Sequence, residues 1–191
     1  MDRRMNNNSD YLDSLLNEKP VNRPTHPAAL DEESLLKDCT ITRGRSLGPG
    51  GQHRNKVETH ITIEHVPSGI DAQAGERRLA KENQAVAIRR LRHKIAMNLR
   101  IDVPAGDIRS ELWKQRCVKK RIVCSSKHWD YPSLLAEAFD VIDACNFDMK
   151  KAAARLGCSG TQLNRFIGDH PPAFEKLNQS REDRGLHRLR P

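Results

Sequence analysis

The stretch that decides the fold is RGRSLGPGGQHRNKVETHITIEH, residues 43–65. From Val57 to Glu64 apolar and polar residues alternate, which is the pattern of a half-buried β-strand. The residues before this strand form a loop of about a dozen residues that carries four cations and no acid. Loops of this length without regular structure are usually functional or disordered. The stretch therefore predicts a strand that is entered from a basic loop.

The loop is built around Gly48, Pro49, Gly50 and Gly51. Glycine lets the backbone adopt positive φ and approach another molecule closely, which a residue with a Cβ resists by about 1 to 2 kcal/mol. The loop can therefore bring bare peptide groups into a narrow site. It is not a phosphate-binding loop of the nucleotide-binding type, because the Gly-x-x-x-x-Gly-Lys-Ser/Thr spacing is absent and Gln52 stands where a lysine is needed.

Short elements flank this loop on both sides. Asp31 can cap a helix that runs to Lys37, and residues 39–42 alternate as a strand does. After the second strand, the turn at residues 67–69 leads into a third short strand at residues 70–74. The second and third strands are predicted to pair as a hairpin.

A long helix is predicted after Gly75. Its apolar residues recur at spacings of three and four, and its other face is strongly basic. The apolar residues are Ala87, Ile88, Leu91, Ile95 and Leu99, and the basic residues are Arg89, Arg90, Arg92, His93 and Lys94. The pattern predicts that the apolar stripe covers the sheet while the cations lie on the outer face.

From Arg45 to Thr59 the sequence reads Arg-Ser-x-Gly-Pro-Gly-Gly-Gln-His-x-Asn-Lys-Val-Glu-Thr, and His65-x-Pro-x-Gly-Ile follows. This pattern resembles the GGQ domain of class I peptide-chain release factors and of their ribosome-rescue relatives. The resemblance covers about residues 30–100. The chain departs from the family where the helix opens, since the family often has Ser-Gln there and this chain has Arg78-Leu79.

The resemblance implies a peptidyl-tRNA hydrolase that acts in the ribosomal peptidyl-transferase centre, with Gly50, Gly51 and Gln52 as the catalytic tip and with no cofactor or metal. The Gln52 backbone N–H would stabilise the oxyanion formed when water attacks the ester, and its side chain would position or select that water. One such donor contributes about 2.7 to 4 kcal/mol. The residues expected to contact ribosomal RNA are Arg43, Arg45, Gly48, Pro49, His53, Arg54, Asn55, Lys56, Arg89, Arg90, Arg92, Lys94, Lys114, Arg116, Lys119, Lys120 and Arg121.

The loop region can also be interpreted without catalysis. A flexible basic loop that only binds RNA is the alternative to a catalytic tip. His53 and His60 have no carboxylate at an obvious orienting distance, so they are interpreted as solvated or RNA-facing. Glu58 shares the outward face of the strand with His60, which favours a surface ion pair over a catalytic base.

The C-terminal half combines a basic run with predicted helices. Residues 101–130 show no periodicity and hold the cations of the run 114–121, so they are predicted to be a basic linker. Beyond residue 131 a helix is followed by two short helices joined through Gly157, which resemble a helix-turn-helix. The two short helices are explained either by nucleic-acid contact or by simple packing around Ala153, Leu156, Leu163 and Phe166.

Composition and cysteine usage limit the classes of partner. The formal net charge of +8 and the pI near 9.5 favour a polyanion. No stretch approaches the roughly 20 apolar residues of a membrane span, so a soluble cytoplasmic protein is expected. The five cysteines are scattered without a Cys-x-x-Cys pair, which favours reduced thiols. A zinc site formed by Cys117, Cys124 and His128 would lack a fourth ligand.

These patterns predict an α+β fold: a small mixed sheet packed by a long basic helix, followed by a small all-α unit. Only about 40 residues precede the loop, too few for the codon-recognition domain of the resembled family. We therefore expect a monomeric, codon-independent hydrolase of P-site peptidyl-tRNA on stalled ribosomes. The alternative is a non-catalytic RNA- or DNA-binding regulator that uses the helix-turn-helix. The expected segments are an arm (1–27), the GGQ domain (28–100), a basic linker (101–130), the helical unit (131–180) and a basic tail (181–191).

Overall fold

A computed structural model describes residues 24–45 and 58–190 of the chain. The described residues fall into two compact units, one formed by Thr25–Leu99 and the other by the residues from Arg100 onward. No helix in these described ranges is long and apolar enough to cross a membrane.

The first unit contains the elements that the alternation and capping signals predict. Helix α1 (Glu32–Lys37) begins at the cap Asp31, whose carboxylate accepts a hydrogen bond from the Ser34 N–H at 3.0 Å. Strands β1 (Cys39–Gly44), β2 (His60–His65) and β3 (Ile70–Ala74) form a sheet in the order β1-β2-β3, in which both pairings are antiparallel. The predicted β2–β3 hairpin is confirmed.

Helix α2 (Ala80–Asn98) packs on β2 and β3 and closes the core of the first unit. The buried side chains are Ile61, Ile63, Ala72 and Ala74 from the sheet and Ala87, Ile88, Leu91 and Ile95 from the helix. Ile41 lies on the edge strand β1 and remains 38% exposed, because α2 covers the other two strands. The α+β fold class with its long sheet-covering helix is thereby confirmed. The prediction of a mixed sheet was wrong: this sheet is antiparallel, because consecutive strands are neighbours in it.

The second unit is helical with one small hairpin. Its elements are α3 (Glu111–Arg116), β4 (Cys117–Val118), β5 (Arg121–Ile122), α4 (Tyr131–Ala144), α5 (Met149–Arg155), α6 (Gly160–Gly168) and α7 (Pro171–Glu182). Strands β4 and β5 pair antiparallel. Residues 101–130, for which the sequence predicts a linker, thus contain a helix and a hairpin.

An aromatic cluster forms the core of the second unit. The rings of Trp113 and Tyr131 contact Phe166 at centroid distances of 6.1 and 4.8 Å. The Trp113 indole N–H donates to the Leu156 carbonyl at 2.7 Å, and the Tyr131 hydroxyl donates to the Phe166 carbonyl at 2.8 Å. Trp113 therefore ties the segment before α4 to helix α6, a contact that no periodicity within residues 101–130 indicates.

Helices α5 and α6 form the helix-turn-helix that the sequence suggests. Asp148 caps α5 and Ser159 caps α6 through side-chain acceptors. The four residues predicted as its packing core, Ala153, Leu156, Leu163 and Phe166, are all buried. The packing role of this unit is confirmed, and its exposed face is considered below.

Gly157 makes the turn between α5 and α6, and its replacement by alanine is expected to destabilise the second unit. Its φ is +66°, and a Cβ at this position would lie 2.7 Å from the Arg109 Nη1. The left-handed backbone costs a residue with a Cβ about 1 to 2 kcal/mol, and Arg109 must also move from its ion pair with Asp107 at 2.7 Å.

Gly185 is the matched control for this substitution. It has a φ of +71°, but a Cβ there would meet nothing within 4 Å. In urea denaturation, Gly157→Ala should therefore lose more stability than Gly185→Ala. Equal losses would mean that the contact with Arg109 has no energetic consequence.

The C-terminal residues do not form the free basic tail that the sequence predicts. The Leu189 N–H donates to the Asn178 Oδ1 at 2.7 Å, so the chain folds back on α7. Arg188 pairs with Glu175 at 2.6 Å and with Glu182 at 2.8 Å. The prediction was wrong because it counted the cations of this segment and overlooked the acids that pair with Arg188, Glu175 and Glu182, which both lie on α7.

Candidate functional site

The predicted catalytic loop connects strands β1 and β2, which pair with each other. The predicted catalytic residues Gly50, Gly51 and Gln52 lie outside the described residues, as do Gly48, Pro49, His53, Arg54, Asn55 and Lys56. The structure describes both ends of the loop. Gly44 is the register partner of His60, so the antiparallel pairing brings the two ends side by side. The two ends of the loop therefore lie side by side at one end of the β1–β2 pair.

Charged and polar residues at this base interact with one another. Arg45 and Glu58 approach to 4.0 Å with both side chains more than half exposed, which confirms the predicted surface ion pair. Such exposed pairs contribute about 0 to 1 kcal/mol. The His60 Nε2 lies 3.2 Å from the Gln73 Oε1 on the neighbouring strand. His60 is thus paired with an amide and has no carboxylate orienting it in the described part of the molecule.

Asn83 binds the Thr59 end of the loop, and the sequence analysis did not identify this residue. Its side chain is fully buried, and its Nδ2 donates to the Thr59 carbonyl at 2.6 Å. Its Oδ1 accepts from the Arg77 N–H at 2.8 Å. One amide therefore fixes both the returning end of the loop and the segment that opens α2. The signal was present, because Asn83 is a polar residue on the apolar stripe, four residues before Ala87.

The cations predicted on the outer face of α2 do not share one environment. Arg92 is buried, with 2% exposure, and donates twice to the Ala28 carbonyl at 3.0 and 2.9 Å. Its predicted contact with RNA is therefore corrected: this guanidinium satisfies the carbonyl of the 3₁₀ turn Pro27–Ala29. Arg43 and Arg89 are exposed at the surface.

Arg90 and Lys94 connect α2 to the sheet. Arg90 pairs with Glu76 at 2.6 Å, and Lys94 donates to the Asp71 carbonyl at 2.8 Å. Burial acts to raise the pKa of Glu76, but hydrogen bonds from the Gly75 N–H and from Arg90 outweigh it and lower this pKa below its ordinary value. The charge of Arg90 is therefore locally balanced, and both side chains remain about half exposed.

Comparison with known proteins identifies the region that carries the loop. Residues 32–124 match the family model described as the RF-1 domain. This region is similar to the corresponding domain of class I release factors. The RF-1 domain thus includes the sheet, α2, α3 and the β4–β5 hairpin.

Curated relatives match this same part of the chain. Peptide chain release factor 1 of Rhodospirillum rubrum is 39% identical over 82 residues, 43% of this chain and 23% of that protein. The release factor 1 of Chlorobaculum tepidum is 44% identical over 66 residues, 35% of this chain and 18% of that protein. The release factor 1 of Dictyoglomus thermophilum is 41% identical over 66 residues, with the same shares. The matched stretches span about a fifth of the length of these relatives.

The last part of the RF-1 domain holds the second predicted group of RNA contacts, and these cations separate into two kinds. Lys114 pairs with Asp107 at 3.4 Å and with Glu111 at 3.2 Å. Arg116 pairs with Asp130 at 2.6 Å. Lys119, Lys120 and Arg121 are exposed at the tip of the β4–β5 hairpin. Of the five cations in this group, Lys119, Lys120 and Arg121 form no ion pair with another described residue.

The cysteines and histidines near the hairpin do not assemble a metal site. Within residues 24–45 and 58–190 no three His, Cys, Asp or Glu side chains come together in a way that could hold a metal ion. Cys117 instead donates to the Gly157 carbonyl at 3.7 Å, and the His128 Nδ1 lies 3.4 Å from Asp130. Partial burial raises the pKa of the Cys117 thiol, although the nearby Arg109 opposes this shift.

Proposed function

We propose that this protein hydrolyses the ester bond of peptidyl-tRNA in the large ribosomal subunit. The observation that carries the proposal is the position of the Gly50-Gly51-Gln52 sequence, in an RF-1 domain and in a loop whose two ends meet at the β1–β2 edge. The glycines of this sequence let the backbone approach a substrate closely.

The proposed chemistry needs few protein groups. A water oxygen attacks the ester carbonyl carbon, the bond to the tRNA oxygen breaks, and a proton ends on the released tRNA hydroxyl. The Gln52 backbone N–H donates to the developing oxyanion, and the Gln52 side chain positions the water. A neutral amide is too weak to act as a general base, so substrate hydroxyls and water carry the proton. Asn83 acts as a positioning residue, because it fixes the Thr59 end of the loop.

We further propose that the protein acts on stalled ribosomes as a monomer in the cytoplasm, without reading a stop codon. Less than a quarter of each release factor reported above aligns with this chain. Most of the described residues after the RF-1 domain belong to helices α4–α7. In this proposal ribosomal RNA and P-site peptidyl-tRNA are the partners, and no cofactor takes part.

The test is peptide release from purified ribosomes that hold a labelled aminoacyl-tRNA in the P site. Three complexes are compared: a stop codon in the A site, a sense codon in the A site, and mRNA that ends in the P site. We expect release from the truncated complex at a rate at least equal to that with a stop codon. Release that requires the stop codon would contradict codon independence, and no release from any complex would contradict the hydrolase.

A second candidate is a non-catalytic regulator that binds nucleic acid through α5 and α6. The helix-turn-helix geometry and the adjacent basic hairpin favour it. The same release assay separates the two candidates, since a regulator would bind nucleic acid without releasing peptide.

A further inference from the structure

Two basic segments of the chain lie next to each other in the second unit. Residues 112–129 contain six Lys or Arg and no acid, and residues 149–168 contain four Lys or Arg and no acid. The Ser159 N–H donates to the Lys120 carbonyl at 3.4 Å, and the Cys117 Sγ donates to the Gly157 carbonyl at 3.7 Å. Strand β5 also packs against α6. The hairpin thus lies along the turn and the first residues of the second helix of the helix-turn-helix.

We define the hairpin patch as Lys119, Lys120 and Arg121 with the exposed residues Thr161 and Arg165 of α6. Thr161 and Arg165 are four positions apart, so they lie on one face of the helix. Among the described residues, no acid pairs with the three hairpin cations. The patch therefore carries positive charge without an acidic partner, on a hairpin that packs against α6.

The backbone at the hairpin tip is unfavourable for the residues found there. Lys119 has a φ of +49° and Lys120 a φ of +63°, and they are the two residues between the paired Val118 and Arg121. Positive φ at both central positions is the geometry of a type I′ turn, for which Asn-Gly is preferred. Each residue with a Cβ costs about 1 to 2 kcal/mol in this region. Stability alone would therefore not select two lysines, which indicates a role for their charges.

We propose that the hairpin patch binds the phosphate backbone of double-helical RNA. Lysine is a flexible point charge that suits phosphate, and both residues at the tip of the hairpin are lysines. Recognition of an RNA duplex depends mainly on shape, phosphates and 2′-hydroxyls, so a rigid basic hairpin beside a helix fits it. The choice of RNA over DNA rests on the proposed ribosomal function.

Two double variants of the full-length protein separate charge from backbone strain. Lys119→Gln/Lys120→Gln removes both charges and keeps a Cβ at each position, whereas Lys119→Asn/Lys120→Gly removes both charges and relieves the turn. The matched control, Lys81→Gln/Lys176→Gln, removes two exposed cations outside the patch. The probe is a labelled RNA duplex of about 16 base pairs, a length suited to duplex-binding domains. Binding is measured by fluorescence anisotropy over a salt series.

Both hairpin variants should bind the RNA duplex roughly tenfold or more weakly at about 0.1 M salt, and the slope of log K against log salt should fall by about two. The control should keep the slope. The Lys119→Asn/Lys120→Gly variant should also melt at a higher temperature than the wild type, so that weaker binding appears in a more stable protein. Affinities equal to the control would overturn the proposal, as would tighter binding to a DNA duplex of the same sequence.

This experiment contains neither a ribosome nor an ester. Its failure therefore leaves the hydrolase proposal standing, and an absence of peptide release by the wild type leaves the duplex-binding result valid.

Discussion

Replacing Gln52 with alanine is expected to lower the single-turnover rate of peptide release by about 10²-fold, the usual cost of a misplaced reacting group, while affinity for the ribosome stays near that of the wild type. In the proposed mechanism the Gln52 side chain positions the attacking water and acts mainly in the transition state, and alanine keeps the backbone N–H that donates to the oxyanion. An interaction of this kind changes the chemical step and leaves ground-state binding largely intact.

Gly51→Ala should produce a loss of the same order for a different reason. A Cβ at this position resists both positive φ and close approach of the backbone to the ester. The measurement is release of labelled peptide at saturating protein, with ribosome affinity determined separately. Gln115→Ala is the matched control, because Gln115 is an exposed glutamine on α3 outside the loop. Wild-type release rates from both loop variants would contradict the mechanism.

Local periodicity was sufficient to predict most of the first unit. The alternation around Ile61 and Ile63 and the stripe through Ala87 and Leu91 record which side of each element is buried. The capping carboxylate of Asp31 likewise needs only its neighbours in sequence. Alternation, the apolar stripe and the cap are reliable signals here because the first unit has a single core, between one sheet and one helix.

Contacts between residues far apart in sequence were not predictable in the same way. Arg92 looks like a surface cation in the helical pattern, yet it lies on the buried side and binds the Ala28 carbonyl, 64 positions away. Asn83 similarly contacts Thr59 across 24 positions. A polar residue on an apolar stripe indicates a buried polar side chain that needs a hydrogen-bond partner. The sequence alone does not identify that partner.

The chemistry of the loop stays a prediction from its motif, whereas the cations of the C-terminal region could be separated only with the structure. The sequence treats the run 114–121 as uniformly basic, but Lys114 and Arg116 are held in ion pairs and the hairpin tip is not. A chain truncated at Tyr131 would lack Phe166, the ring against which Trp113 packs, and would expose a buried side chain.

Trp113→Ala is expected to destabilise the second unit by about 3 to 5 kcal/mol, the usual cost of removing a buried large aromatic side chain. Trp113 is 1% exposed, packs edge-on against Phe166 at 6.1 Å, and donates to the Leu156 carbonyl at 2.7 Å. The substitution leaves a cavity and also removes the donor to a buried carbonyl.

Trp129→Ala provides the matched control, because Trp129 is 46% exposed in the same unit. The chain has only these two tryptophans, so each variant retains one fluorescent reporter of second-unit unfolding. Urea denaturation followed by fluorescence and by far-UV circular dichroism measures the free energy of unfolding for both variants. The loss for Trp113→Ala should exceed that for Trp129→Ala by at least about 2 kcal/mol, since only the former creates a cavity. Similar stability of the two variants would mean that the segment before α4 is not part of the core of the second unit. The hairpin patch would then lack the rigid support on which its proposed binding to RNA depends.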